Sequence, residues 1–186
     1  TSGAGFYNFT IHANDSRDNQ PSPATSNFTI MQASSQMQFL INALADNESV
    51  DEDTPVNFTI NLYKPSFAPH VQLYRDGSLI TNMSAPLENI SSFDPGLYNM
   101  TAIYPGDRNY TSNVTTWWLE VNDTTPPVLT NVSPTPGSTF NDSTTVSISA
   151  NATDNVAMDE VWVNISWQGG VQYEYLQLTP GGSSTG

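Results

Sequence analysis

The chain has 186 residues, of which 12% are charged, with 18 acids against four cations and a net charge of −14. Four scattered cations (Arg17, Lys64, Arg75 and Arg108) assemble no phosphate-binding patch, which excludes nucleic-acid binding as a main activity. The lack of cysteine excludes a disulfide framework, and no apolar run reaches the roughly 18 residues of a membrane-spanning helix. An ordinary soluble domain carries about 25% charged residues, so this surface needs another solubilising group.

That group is written along the chain. Fifteen of nineteen asparagines open the triplet Asn-x-Ser/Thr without a central proline: Asn8, Asn14, Asn27, Asn47, Asn57, Asn82, Asn89, Asn99, Asn109, Asn113, Asn122, Asn131, Asn141, Asn151 and Asn164. With 42 serines and threonines in the chain, chance placement gives about four such triplets. The excess points to a dense coat of covalent N-linked glycans and hence to an exported chain. Any export signal or anchor is expected outside this stretch, which carries neither.

Taken in chain order, residues 5–11 and 27–31 read as the first two strands, with Asn14, Asp15 and Asp18 in the loop between them. Further strands follow around 57–60, on both sides of the Asp-Gly turn at 75–78, and at 96–101 and 116–121. Thr124-Thr125-Pro126-Pro127 reads as a short stiff linker, since proline fixes φ and bars a central strand. Beyond it, 128–133, 145–153, 161–167 and 172–178 read as strands, and 180–186 as a Gly/Ser loop. The triplets sit in this strand register. Eleven have an apolar middle residue (Phe9, Phe28, Phe58, Met83, Ile90, Met100, Tyr110, Val114, Val132, Ala152, Ile165), which alternation sends to the core while the asparagine looks outward. The four with an acid in the middle (Asn14, Asn47, Asn122, Asn141) read as loops.

The chain also matches itself. Gly5-Phe6-Tyr7-Asn8-Phe9-Thr10 aligns with Gly96-Leu97-Tyr98-Asn99-Met100-Thr101. Asp94-Pro95-Gly96-Leu97-Tyr98-Asn99-Met100 resembles the segment opening strand F of immunoglobulin-like domains, whose tyrosine forms the tyrosine corner. The resemblance implies that role for Tyr98 and, more weakly because Gly3 replaces the aspartate, for Tyr7. Residues 96–121 and 123–167 together resemble the Ig-like repeat domains of archaeal and bacterial cell-surface proteins, of S-layer or extracellular-filament type.

An all-β architecture is therefore expected, with two Ig-like antiparallel sandwiches per repeat. Residues 1–32 are expected to be the last two strands of a preceding unit's domain, 33–122 a complete domain, and 123–186 the early strands of a domain completed by the next unit. The expected partner is a copy of the same chain, head to tail, either covalently continuous or joined by donated strands.

No catalytic motif surrounds His12 or His70, and the chain is expected not to be an enzyme. The acids Asp123, Asp154, Asp159 and Glu160, Asp15 and Asp18, and Asp51-Glu52-Asp53 read either as solvated loop acids or as calcium ligands. Trp117 and Trp118 are adjacent in a strand, so one faces outward; Trp162 shares that exposure, and Trp167 reads as core. An outward tryptophan can stack on glycan, pack on a neighbour or bind a foreign sugar. The function expected is a structural repeat of a glycosylated extracellular filament, stalk or surface layer, archaeal in the first instance. The alternatives are an adhesin or carbohydrate-binding array, and a spacer in a larger exported enzyme.

Overall fold

The structure, a computed structural model, describes residues 3–67, 69–167 and 170–177, and leaves out the side chains of 164, 166, 167 and 170–177. The expected loop at 180–186 and the core role of Trp167 lie outside the described residues and side chains. The described residues form fourteen strands. They divide into two units, Thr1–Asn122 and Asp123–Gly186.

Unit 1 begins with a hairpin of β1 (Gly5–Ile11) and β2 (Ala24–Ile30), followed by a two-sheet sandwich. One sheet holds β3 (Gln36–Ile41), β5 (Val56–Lys64) and β8 (Leu87–Ser91) in the order β3-β5-β8. The other holds β4 (Glu48–Asp51), β6 (His70–Arg75), β7 (Ser78–Ser84), β9 (Gly96–Tyr104) and β10 (Asn113–Asn122) in the order β4-β10-β9-β6-β7. The chain crosses between sheets after β3, β4, β5, β7 and β8. The pairing is antiparallel except between β10 and β4. This Greek-key order is that of an immunoglobulin-like sandwich.

Alternation builds the core. Val56, Phe58 and Ile60 of β5 are buried, and so are Val71 and Leu73 of β6, Met100, Ala102 and Tyr104 of β9, and Leu119 and Val121 of β10. Phe58 stacks on Phe39 at 6.4 Å and meets Phe93 edge-on at 5.8 Å. The Trp117 indole donates to the Phe39 carbonyl at 3.1 Å, tying the two sheets together where its N–H would otherwise lose water unpaid. The Asp76-Gly77 loop takes positive φ at both residues (50° and 78°), the twist a two-residue hairpin needs.

Asn57 and Asn99 lie half-buried on outer faces while Phe58 and Met100 fill the core. Elsewhere the expected facing is corrected. In β8 the buried Leu87 sets the phase, so Asn89 stands opposite buried Phe58 on the core side and Ile90 is exposed. In β10 Asn113 stands opposite buried Tyr104, and Val114 points outward. Met83 stands opposite buried Val71 but is exposed, because β7 is an edge strand. Asn109-Tyr110-Thr111 lies in the β9–β10 loop rather than in a strand. Asn122, expected in a loop, is the last residue of β10, held opposite Asp51.

Unit 2 contains two antiparallel pairs: β11 (Val128–Ser133) with β12 (Ser149–Thr153), and β13 (Trp162–Trp167) with β14 (Gly170–Gln177). The strand expected from 145 starts only at Ser149. Alternation in β11 is broken by a bulge between Thr130 and Ser133, where Asn131 takes a φ of 52°; Val132 is accordingly exposed.

Candidate functional site

The hairpin β1–β2 repeats the geometry of β9–β10 in an uncovered form. Gly5 pairs with Ile30 and Tyr7 with Phe28; in the sandwich Gly96 pairs with Val121 and Tyr98 with Leu119. The two glycines have φ of 152° and 153°, at the margin of the region that favours glycine. Two residues on, the Tyr98 hydroxyl donates to the Asp94 carbonyl at 2.8 Å, and the Tyr7 hydroxyl donates to the Gly3 carbonyl. Both are four-residue tyrosine loops of the same design.

Their surroundings differ. Met100, Leu119 and Val121 are 0%, 0% and 5% exposed, whereas the matching Phe9, Phe28 and Ile30 are 42%, 48% and 36% exposed. Tyr7 stacks on Phe28 at 5.3 Å and Phe9 approaches it at 6.3 Å, so the aromatic side chains gather on one face. Ile11 extends that face. The opposite face carries Asn8 and Thr10 beside Asn27, Thr25 and Thr29, and so holds the asparagine and the threonine of both triplets. One side of the hairpin is thus apolar and aromatic, and the other carries the sequon asparagines.

The hairpin base is clamped to the β9–β10 loop. The Ala4 N–H donates to Asn109 Oδ1 at 2.9 Å, and Arg108 Nε donates to the Ala4 carbonyl at 3.2 Å. Arg108 Nη2 reaches the Tyr7 hydroxyl at 3.4 Å, and Gln32 Nε2 donates to the Asp107 carbonyl at 2.6 Å. Asp107 shapes this loop: its Oδ1 accepts the N–H groups of Asn109 (2.6 Å) and Tyr110 (2.8 Å), and its Oδ2 accepts the Tyr104 hydroxyl at 3.0 Å. The Asn109 N–H bond, ahead of those from Tyr110 and Tyr104, holds the Asp107 carboxyl below the usual aspartate range. Burial, aided by the Asp107 hydrogen bond, pushes the Tyr104 phenol up to about 12.

These shifts fix the pH response. The Asp107 contribution is complete above the unfolded aspartate value near ~3.9 and is lost as pH falls through its depressed folded value. The Tyr104 contribution is complete below ~10 and is lost as pH rises towards about 12. Protection of the Asn109 and Tyr110 amides, relative to their intrinsic exchange rates, should therefore hold from about pH 5 to 9 and fall at the acid end. In Asp107→Ala, which removes the acceptor, protection should be low at every pH. A loop equally protected at pH 2 and pH 6 would contradict this.

The remaining expected residues are placed as follows. Asn8, Asn14, Asn27, Asn47, Asn82, Asn109, Asn122, Asn131, Asn141 and Asn151 are exposed, and Asn57, Asn89, Asn99 and Asn113 half-buried. The Asn164 side chain lies outside those described. Trp117 is half-buried against the core, whereas Trp118 and Trp162 are exposed. Trp118 sits cross-strand from Asn99, and its backbone N–H donates to Asn47 Oδ1 at 2.9 Å, so two sequon asparagines neighbour this residue. His12 is exposed, as is His70, whose Nδ1 lies 3.3 Å from Asn82 Oδ1.

Asp123, Asp154, Asp159 and Glu160 line one depression of about 380 Å³ in unit 2. Asp123 accepts the Thr125 N–H at 3.1 Å and Asp154 the Val156 N–H at 3.0 Å, each closing its own turn. Asp15 likewise takes N–H groups of Arg17 and Asn19, and the Asn19 side chain does most to lower its pKa. Among the described residues no three acids or histidines are grouped to hold a metal ion. Of the expected calcium candidates, Asp123, Asp154, Asp159 and Glu160 share this depression, and Asp15, Asp18 and Asp51-Glu52-Asp53 lie elsewhere.

Arg108, Asp107 and Gln32 were not singled out by sequence. The Asp107-Arg108-Asn109-Tyr110 run did carry a signal, an aspartate followed by the N–H groups it caps. Arg108 carried none, because its partners are more than a hundred residues away in the chain.

Against known proteins, residues 127–173 match the family described as Bacterial Ig domain. Among solved structures, the fibronectin(III)-like modules of Clostridium thermocellum CbhA are similar over 47% of this chain and 98% of theirs, at 18% identity and a TM-score of 0.37. No curated protein matches the chain. Unit 1 thus has the strand order of an Ig-like sandwich, and unit 2 is similar to a bacterial Ig domain over residues 127–173.

Proposed function

We propose that this chain is the structural unit of a heavily N-glycosylated extracellular filament, stalk or surface layer, assembled head to tail. The β1–β2 hairpin of one copy covers the early strands of another copy's unit 2. The observation that carries this reading is the uncovered apolar face of the hairpin, whose counterparts Met100, Leu119 and Val121 are buried in the complete sandwich. Burying five such side chains (Tyr7, Phe9, Ile11, Phe28, Ile30) at about 1.5–3 kcal/mol each suffices to hold two copies together after the cost of association. Unit 2 offers matching apolar surface in the exposed Val128, Leu129, Val132 and Val156.

In this role the chain does no chemistry. It spans distance, with β sandwiches in series bearing load and sugar shielding the strand faces from proteases and from edge-to-edge pairing. Sugar on Asn99 or Asn47 would lie against the exposed ring of Trp118. The same exposure of Trp118 and Trp162 favours a second reading, an adhesive array that grips foreign carbohydrate. A glycan array separates the two, since a structural filament gives no specific signal. Electron microscopy of the native protein tests the main reading: extended, sugar-coated filaments or sheets are expected, and dispersed single copies would count against it. Boiling in detergent then tells joined repeats, which stay very large, from donated strands, which fall to single chains.

A further inference from the structure

We infer that the free edge of β1 in one copy pairs antiparallel with the free edge of β13 in another, with Ile11 opposite Ile165. This rests on the head-to-tail reading and gives it a register.

The inference comes from two internal equivalences. The first is β1–β2 with β9–β10, fixed by the shared glycine, tyrosine loop and cross-strand partners. It places Phe9 on Met100, Thr10 on Thr101 and Ile11 on Ala102. The second is β13–β14 with β6–β7. Arg75 pairs with Ser78 and Trp167 pairs with Gly170, each closing a two-residue loop. Counting back from those loops places Ile165 on Leu73 and Val163 on Val71. The buried apolar pair of β6 thus reappears as an apolar pair at the same positions of β13.

In the complete sandwich, β9 has β10 on one side and β6 on the other, with Leu73 opposite Ala102, Tyr74 opposite Thr101 and Arg75 opposite Met100. Among the described residues, β1 has β2 on one side and no strand on the other. In the same way β13 has only β14. Each therefore presents an edge with no strand partner among the described residues, and each is the counterpart of a strand that pairs with the other's counterpart. Transferring the register sets Ile11 opposite Ile165, Thr10 opposite Ser166 and Phe9 opposite Trp167. Main-chain hydrogen bonds would supply affinity, and the alternation of Phe9 and Ile11 with Val163 and Ile165 would fix the phase, because a one-residue slip turns the apolar set to water.

The chain has no cysteine, so engineered thiols report cleanly. An Ile11→Cys chain is mixed with an Ile165→Cys chain, and separately with a Val163→Cys chain, under mild oxidation. Directly opposite positions are within disulfide reach, whereas a diagonal two residues away is not. The expected result is a mixed disulfide between Ile11→Cys and Ile165→Cys chains, at least about tenfold above the Val163→Cys control, seen on a non-reducing gel and as a linked peptide. Preferential linkage to Val163→Cys would overturn the register while leaving head-to-tail assembly standing. Assembly on sedimentation with neither linkage would overturn β1–β13 pairing. An unsubstituted chain that does not assemble would overturn the underlying reading as well. Thermal melts of each variant show that folding is retained.

Discussion

Phe28→Asp, or Phe9→Asp, is expected to abolish assembly while leaving the sandwich of residues 33–122 as stable as before. Both side chains are about half exposed and lie on the hairpin face, outside the buried core of that sandwich. A surface change of this kind moves folding stability by no more than about 0.5 kcal/mol. In the proposed contact the same change removes about 1.5–3 kcal/mol of burial and adds the cost of desolvating an unpaired carboxylate. Association should weaken by on the order of a hundredfold or more, because each 1.4 kcal/mol is a factor of ten. Sedimentation velocity measures the loss, and circular dichroism measures the melt. Phe6→Asp, on the face of the same hairpin that carries Asn8 and Asn27, should leave both unchanged. Equal weakening by Phe6→Asp and Phe28→Asp would mean that the faces are not distinguished and that the apolar side is not a contact.

Phe58→Ala is expected to have the opposite signature, collapse of the sandwich itself. Phe58 is fully buried, stacked on Phe39 and edge-on to Phe93, at the centre of the sheet formed by β3, β5 and β8. Truncation leaves a cavity between rings that cannot close over it, at about 3–5 kcal/mol. That is a large part of the 5–15 kcal/mol by which an ordinary domain is stable, and corresponds to a Tm lower by about 15–30 °C. Phe58→Leu, which keeps most of the volume, should cost about a third as much. A melt unchanged by Phe58→Ala would mean that this residue is not in the core.

Much of this was legible in the residues, and the failures share a cause. Period-two alternation marks a strand, but its phase, which side is core, belongs to the tertiary fold. Asn57 and Asn99 had their phase fixed by neighbours that read correctly as apolar. In β8 the decisive residue was Leu87, two positions before the acceptor asparagine, and Asn89 went to the core side. In β10 the sequence required one of Trp117 and Trp118 to face out, without saying which; the bond from Trp117 to the Phe39 carbonyl decides it. The strand expected from 145 had suitable residue types but starts at Ser149, where pairing with β11 starts. The hairpin was legible because its signal is local, a glycine two residues before a tyrosine whose hydroxyl turns back four residues. The clamp that fixes the hairpin was not, since Arg108 and Asn109 meet Ala4 only through the fold.

The glycan acceptors gain a mechanical meaning from the same geometry. Asn8 and Asn27 face each other across the hairpin on the side away from Phe9 and Phe28. Sugar there would cover the one face that assembly leaves bare, and would bar a wrong partner from stacking on it. The proposed glycosylation and assembly would thus occupy opposite sides of two short strands.

High-resolution electron microscopy of the native assembly tests the central claim most directly. An extended array is expected in which Phe9, Phe28 and Ile30 of each copy are buried against unit 2 of the next, with sugar density rising from Asn8 and Asn27 on the opposite side. Single copies, or an array in which that apolar face is open to solvent, would contradict it.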